Sequence, residues 1–517
     1  MNLSVRLIEV ELGEPKVIMN RMDAQEIGIV SNDRVKISFS GKSEVVLVSL
    51  TDTFVSKGQL AVFADTAKKL NLSEGCKVAV EPSEPRESIN SIKKKLSGAK
   101  LEQKEIDRIV KDVYSGALSA VELTAFILGI NFHGLDMDEI EWLTRSMASA
   151  GNMLDFGDLE VVDVHSVGGV PGNSKNSLVI IPIVAASGLI IPKTSTRAIT
   201  SPSGTVDTME VLAPVDLGPD EIVEITKKIG GVITWGYPAN LSPVDAIFIE
   251  SVEYPLGVDP EPLIYASVLS KKYAAGAKKL VIDIPTGPEA KVEDMKTART
   301  MARRFIEISE RLGIRTHVAI SYGGQPVGRC IGPALEAMEA LEVMESCGKK
   351  GSGSFIEKSV GLAGLLLEIG GVAPRGKGYS MALSILESGK AYEKFMEIVE
   401  AQGGRRIKAD EIEVGECKAV VRANTSGYVT SVSNRAMIKI ARMAGAPNDK
   451  KAGIRLLAKR GDKVEEGDPL FEIYSSSEAK LDEALKMSTL LKPFRIESMI
   501  LEVFGEVSTG LGSPITG

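Results

Sequence analysis

Cysteine, histidine and tryptophan are scarce in this chain, with 4, 3 and 2 copies among 517 residues. Cys76, Cys330, Cys347 and Cys417 form no CxxC pair and lie far apart, which argues against a disulfide framework or a zinc ribbon and for a cytoplasmic protein. His133, His165 and His317 show no HxxxH spacing, so no histidine-built metal centre is expected. There is no basic excess either. The 61 Lys and Arg against 69 Asp and Glu leave a formal net charge of −8, which speaks against nucleic acid as a partner while leaving room for a local cationic pocket. Met1–Val10 already alternates with Arg6 and Glu9, unlike an export signal. The longest apolar stretch, Leu178–Pro192, is broken by Pro182, Ser187 and Gly188 and falls short of the roughly 20 residues that cross a bilayer. No membrane is expected.

What the chain does have is length, an ordinary 44% of hydrophobic residues, and 50 glycines. At roughly 150 residues per domain, three or four units are expected. Residues 1–85 read as a β-rich domain: Val35, Ile37 and Phe39 alternate with polar residues, Val45–Leu50 is a second β-branched run, and Gly41-Lys42 makes the turn. The proline- and acid-bearing stretch Glu81–Ser88 reads as a linker. From Ser88 to Gly151 the period is helical. Ser119 with Glu122 and Asp136 with Glu139 mark two helix starts, Ile140, Leu143 and Met147 share a face, and Gly151 is the expected stop.

Beyond Gly151, apolar strands alternate with glycine-bearing loops and helices: VVDVHS before SLVIIPIVAASG, GLIIPK before VDTMEVLA, KLVIDIP before a helix over 292–312, and THVAISY before ALEAMEALEVM. That alternation predicts an α/β domain with a mixed, largely parallel sheet. From about Ala423, short strands with Gly and Asp turns predict a C-terminal α+β domain. GDKVEEGDPLFEI there is similar to the barrel-sandwich of biotin and lipoyl carriers, but Lys480 lies past the strand, so assembly or packing is the expected role.

Ligands of α/β sheets bind where strand carboxyl ends run into helix N-termini, and three segments suit an anion there. In HSVGGVPGNSKNS (165–177), Gly168, Gly169 and Gly172 let amides converge while Ser166, Ser174 and Ser177 add hydroxyls. A structural glycine turn explains that composition equally well. Between Lys193 and Thr205 stand Lys193, Arg197 and seven hydroxyls (Thr194, Ser195, Thr196, Thr200, Ser201, Ser203, Thr205), with no acid before Asp207. Hydroxyls and a planar guanidinium donate to phosphate oxygens without adding negative charge. Neither segment matches a Walker or dinucleotide motif, which disfavours ATP hydrolysis and NAD chemistry. In the third, GVDPEPLIYASVLSKK (257–272), Asp259 and Pro260 suit helix N-cap and N1, and Ser267 and Lys271 lie one turn apart; a plain cap and an exposed helix face are the bland alternatives.

These segments, together with LSPVDAIFIESVEYP and GGQPVGRCIGPALEAMEAL, resemble the thymidine and pyrimidine nucleoside phosphorylase family, most closely its archaeal AMP phosphorylase branch. KTSTRAITSPSGT is the most specific match, and the resemblance runs from about Ser88 to Gly517. It implies a helical domain (86–155 with 244–274) hinged on an α/β phosphate-binding domain (156–243 with 275–422), a substrate cleft between them, and a C-terminal domain (423–517). The extra segment 1–85 also belongs to that branch. It further implies at least a homodimer through the helical domain, with AMP and orthophosphate as the small-molecule partners.

By the same resemblance, substrate or phosphate contacts Ser166, Gly168 and Gly169. Further contacts are Thr194, Ser195, Thr196, Arg197, Ala198, Ile199, Thr200, Ser201 and Thr205, and beyond them Ser267, Lys271 and Lys291. Asp259 is the catalytic residue, donating a proton to the purine leaving group. Two departures bear on the base. Pyrimidine members carry lysine where Val164 stands and arginine where Val252 stands, and valine cannot donate to a pyrimidine carbonyl. The implied reaction is phosphorolysis of AMP, with CMP and UMP open, to the base and ribose 1,5-bisphosphate, with no metal or organic cofactor. Which loop holds orthophosphate and which the 5′-phosphate stays open. Three alternatives remain: a phosphorylase of unphosphorylated nucleosides; a magnesium-dependent phosphoribosyltransferase of the anthranilate type; and an adaptor, because AQEIGIVSNDRVKISF is similar to the double-psi barrels of AAA-ATPase substrate domains.

Overall fold

A computed structural model describes residues 1–83 and 86–501. The chain divides into two compact units, residues 1–153 with 240–274 and residues 154–239 with 275 onward. Glu84 and Pro85 of the expected linker and residues 502–517 of the expected C-terminal domain lie outside the described residues.

The first unit opens with six strands, β1 (Asn2–Ile8), β2 (Lys16–Asn20), β3 (Arg34–Phe39), β4 (Lys42–Thr51), β5 (Gln59–Phe63) and β6 (Lys77–Pro82). They close a barrel in the order β1-β5-β2-β4-β3-β6, with antiparallel β1–β6 pairing completing the ring. Val35 and Ile37 point into its core, as their alternation with polar residues requires. The β3–β4 turn is Ser40-Gly41, both at positive φ (47° and 81°), the two-residue geometry whose twist matches the flanking strands. The expected linker is shorter than its composition suggested. Glu81 and Pro82 finish β6, which lies in register with β3, and Glu87 already opens a helix.

Helices Glu87–Leu96, Gln103–Tyr114, Ala120–His133 and Met137–Ser149 follow, and the chain returns with Pro243–Phe248 and Glu261–Ala274. Both expected capping boxes are present, the Ser119 and Asp136 side chains accepting from the amides of Glu122 and Glu139. Leu143 and Met147 are buried with Phe126, Phe248, Val252 and Leu263, and Ile140 is buried as well. Gly151 serves a different end from the expected helix stop. The helix caps at Ala150, and a methyl on Gly151 would lie 2.0 Å from the Asn240 carbonyl oxygen, so glycine lets the returning segment touch the backbone.

In the second unit, β7 (Val162–Ser166), β8 (Ile191–Ser195), β9 (Gly231–Trp235), β10 (Lys279–Thr286) and β11 (Arg315–Tyr322) pair in parallel as β11-β10-β7 and β8-β9. A parallel bridge from Val161 to Ile190 links the two groups. Helix Asn176–Ala186 is apolar all round and buried, which explains the long hydrophobic stretch. The expected helix over 292–312 spans only Met295–Arg311, because the Asp294 carboxylate caps the amides of Lys296 and Thr297.

The C-terminal strands are β12 (Cys330–Ile331), β13 (Cys417–Arg422), β14 (Gly427–Val432), β15 (Gly453–Leu456), β16 (Lys463–Val464), β17 (Pro469–Ser475) and β18 (Phe494–Glu497). They form sheets β12-β15-β17-β13 and β16-β14-β18. Residues 417–422, placed by sequence in the preceding domain, pair with β17 from Cys417↔Ser475 onward, so a boundary at 423 cuts through a sheet. Lys480 lies in the first turn of helix Glu478–Leu491. The whole is an α/β fold with a helical bundle. Among the described residues, no helix is long and apolar enough to cross a membrane.

Candidate active site

The loop after β7 is built around one hydroxyl. Ser166 donates to Asp283 Oδ2 (2.8 Å) and accepts from the Gly168 amide (3.3 Å) and Asn173 Nδ2 (2.9 Å). One donor and two acceptors exhaust a serine hydroxyl, so the loop has its backbone rather than this side chain to offer an anion. Asp283 reaches Ser166 because the β10–β7 register sets the two residues opposite each other. Gly168 and Gly169 adopt φ of 80° and 88°, a region closed to most side chains. A methyl on Gly169 would lie 2.6 Å from the Lys291 nitrogen, so this glycine brings the Lys291 segment of the next loop against the β7 loop. Lys291 is exposed there.

The hydroxyl-rich loop after β8 curls over Asp207. Its carboxylate accepts from the amides of Ala198 (2.7 Å) and Gly204 (2.9 Å), capping the short helix Thr205–Met209. Thr205 Oγ1 donates to the Ser174 carbonyl (3.2 Å) and ties this loop to the first. Ser201 Oγ donates to the Ser203 carbonyl, and Thr194 is buried at the strand end. Ser195 is half-buried, while Thr196, Ile199 and Thr200 are exposed. Arg197 differs most from the sequence-based picture. Both guanidinium amines engage Glu210 (2.6 and 2.7 Å), Asp207 and Asp216 lie within 3.7 Å, and its plane stacks 4.5 Å over Trp235. It is a partner of carboxylates here, and its charge is already matched. Lys193 extends a buried ammonium to the carbonyl of Val164 (2.6 Å), beside the position where the resemblance notes a missing lysine.

A C-terminal helix, Asn434–Met443, and its cap residue Ser433 brace these loops. Arg442 donates to the carbonyls of Ile199 (3.0 Å) and Ser201 (3.1 Å), Asn434 to Gly323 (2.8 Å), and Ser433 to the Glu289 carboxylate (2.8 Å). Beneath the loop after β11, Lys175 is fully buried. It donates to the carbonyls of Val327 and Cys330 (2.7 Å each) and pairs with Glu339 (3.0 Å). Lys459 donates to the carbonyls of Pro326 and Gly328, and burial pushes its pKa down to about 8.

Glu336, also fully buried, accepts from Ser174 Oγ and the Gly332 amide, and burial raises its pKa to about 7 against the opposing pull of Lys175. A carboxyl that titrates near 7 folded and near 4.5 unfolded binds more protons in the native state between those values. Its contribution is therefore full below pH 4.5 and is lost as the pH rises through 7. Glu336→Gln keeps an acceptor without the charge. It is expected to raise Tm at pH 8, by the equivalent of up to about 3 kcal/mol, with the gain nearly gone at pH 4.5. Melting curves across that range measure it, and a gain independent of pH would contradict the assignment.

In the first unit, Asp259 is exposed and stands two residues before the helix that begins at Glu261, one position further out than the cap expected of it. The Pro260 carbonyl accepts from the Leu263 amide (2.9 Å) and so occupies the cap position. Lys271 is not on an ordinary exposed face. It donates to Asp245 Oδ2 (2.6 Å) and to Ser267 Oγ (3.0 Å), fixing the pair that the sequence placed one turn apart. Val252 is buried in the helical core.

Sequence reasoning missed Asp245, Asn173, Glu210, Asp283 and Lys358. One signal was available: Asp283 sits inside the apolar run KLVIDIP, and a carboxylate in a buried strand demands a partner.

Three family models match the chain. They are the helical bundle domain of a glycosyl transferase family over residues 89–151, the α/β domain of that family over 158–392, and the pyrimidine nucleoside phosphorylase C-terminal domain over 428–490. The anthranilate phosphoribosyltransferase of Thermus thermophilus superposes with a TM-score of 0.51 at 20% identity, covering 61% of this chain and 99% of that one, which shows a shared fold. Fold and loops thus define a glycosyl transferase of the helical-bundle and α/β class. An AMP phosphorylase of Archaeoglobus fulgidus is 50% identical over 494 residues, 95% of this chain and 97% of the relative. That of Thermococcus kodakarensis is 49% identical over 508 residues, 98% and 100%. The chain belongs to the AMP phosphorylase family.

Proposed function

We propose that the chain catalyses phosphorolysis of AMP, giving adenine and ribose 1,5-bisphosphate. The observation that carries this reading is its similarity, at about half of all positions and nearly end to end, to proteins named AMP phosphorylases. Orthophosphate attacks C1′ as the glycosidic bond breaks; the bond's electron pair leaves with the base, and a proton at N7 neutralises it. Two anions must be gripped, the attacking phosphate and the 5′-phosphate. The amides around Gly168 and Gly169, with Lys291, and the segment Thr194–Ser201 supply the donors, with Thr205 tying the second loop to the first through the Ser174 carbonyl. Arg197 contributes by shaping its loop through Glu210 and Asp207.

Ser267 and Lys271 face the base, and Asp259 is its acid. Because Asp259 is exposed, that role requires the bound nucleotide to cover it. The reading keeps the division into parts 1–85, 86–155 with 244–274, 156–243 with 275–422, and 423–517, with the last extended back to β13. It also keeps a cytoplasmic homo-oligomer of at least two chains.

Chromatography of each nucleoside monophosphate incubated with enzyme, with and without orthophosphate, tests it. AMP should yield adenine only when phosphate is present. Equal consumption of adenosine would replace this reading with a nucleoside phosphorylase. Activity abolished by EDTA would favour the phosphoribosyltransferase alternative, and no phosphate-dependent loss of any nucleotide would favour the adaptor.

A further inference from the structure

Lys358 lies in helix Gly353–Gly370, far in sequence from both anion loops, with a side chain only 9% exposed. Its ammonium donates to Asn173 Oδ1 (2.7 Å) and pairs with Asp283 Oδ2 (2.9 Å). Those two residues are the side chains that hold Ser166: Asp283 accepts from its hydroxyl and Asn173 donates to its oxygen. Asp283 is 1% exposed, and its other oxygen accepts from Ser321 Oγ. A carboxylate this deep needs a matched charge, and Lys358 stands within salt-bridge distance of it. The next residue, Ser359, donates to Asn176 Oδ1 (2.9 Å), so the same helix turn also fixes the start of the helix that follows the loop.

We propose that Lys358 is a positioning residue for the anion on the Ser166–Gly172 loop: by neutralising Asp283 and orienting Asn173 it locks Ser166 and so fixes where the loop amides point. Ser166 is then the hub of the loop and not one of its anion ligands. The ammonium stands three hydrogen bonds from the Gly168 amide, through Asn173 and Ser166, and acts on the loop without touching substrate. Burial of Lys358 lowers its pKa while Asp283 opposes the shift, as expected of a cation retained only for its partners. The inference rests on the phosphorylase reading above.

The experiment measures saturation curves for AMP and for orthophosphate with wild type, Lys358→Met and Asn173→Ala, each checked for folding by circular dichroism. Asn173→Ala removes the relay without leaving a buried charge unpaired, so it carries the test should Lys358→Met fail to fold. Both variants are expected to raise KM at least tenfold for whichever anion the loop holds, orthophosphate or the 5′-phosphate of AMP, and to move the other KM less than threefold. Folded variants whose two KM values both stay within twofold of wild type would overturn the proposal. So would equal changes in both, or a loss of thermal stability without any change in KM. A wild-type enzyme that leaves AMP intact in orthophosphate would remove the phosphorylase reading instead.

Discussion

Asp259→Asn is expected to lower turnover on AMP by about 10²- to 10⁴-fold, the range for loss of a positioned general acid, with the KM for AMP moving less than about threefold. Asparagine keeps the shape and the hydrogen-bonding capacity of the carboxyl group, so binding survives, but it has no acidic proton for N7. The cost thus falls on the transition state, where charge builds on the departing base. A second substrate separates this from general damage to the site. A purine nucleotide methylated at N7 already carries the positive charge that protonation would create, so the variant should lose far less on it than on AMP. Steady-state rates on both substrates at saturating orthophosphate measure the difference. Unchanged turnover on AMP, or equal losses on the two substrates, would take Asp259 out of the proton-donor role.

Lys175→Met is expected to destabilise the fold by about 3–5 kcal/mol, the usual cost of stranding one member of a buried ion pair. Lys175 is wholly enclosed and satisfies two carbonyls of the segment after β11 as well as Glu339. The Glu339 carboxylate would keep the amides of Arg329 and Cys330 but lose its cation. Adding Glu339→Gln should restore a substantial part of the loss, because a neutral amide oxygen still accepts from those amides and no charge is left bare. Urea unfolding of the two single variants and the double variant closes the cycle. A double variant whose loss equals the sum of the two single losses would mean that the pair is not coupled.

Much of the fold was legible from local patterns. Period-two alternation marked the barrel strands, the paired signals at Ser119/Glu122 and Asp136/Glu139 marked two helix starts, and the strand–glycine–helix rhythm marked the parallel sheet. The loop segments after β7 and β8 were legible too, since glycine runs and acid-poor hydroxyl runs are compositional features. Boundaries were less so. Asp294 shortens a helix whose apolar periodicity runs on, and strand pairing, invisible in composition, carries Cys417–Arg422 into the C-terminal sheet.

The roles within the loops were not legible. A hydroxyl or a guanidinium in a sequence shows what it is able to donate; whether that donor is still available depends on what stands opposite it. Ser166 is spent on Asp283 because β10 lies beside β7 in one register, and Arg197 is spent on Glu210 because a short helix turns back beneath its loop. Lys358 reaches Asp283 across 75 residues only after a crossover lays its helix on the sheet. Composition and short-range periodicity therefore suffice to establish the succession of β-rich, helical and strand–helix segments and the residue types gathered at the strand ends. Which of those groups face a ligand and which hold one another is settled by contacts between distant segments, since a hydrogen bond or ion pair acts over a few ångströms whatever the separation along the chain.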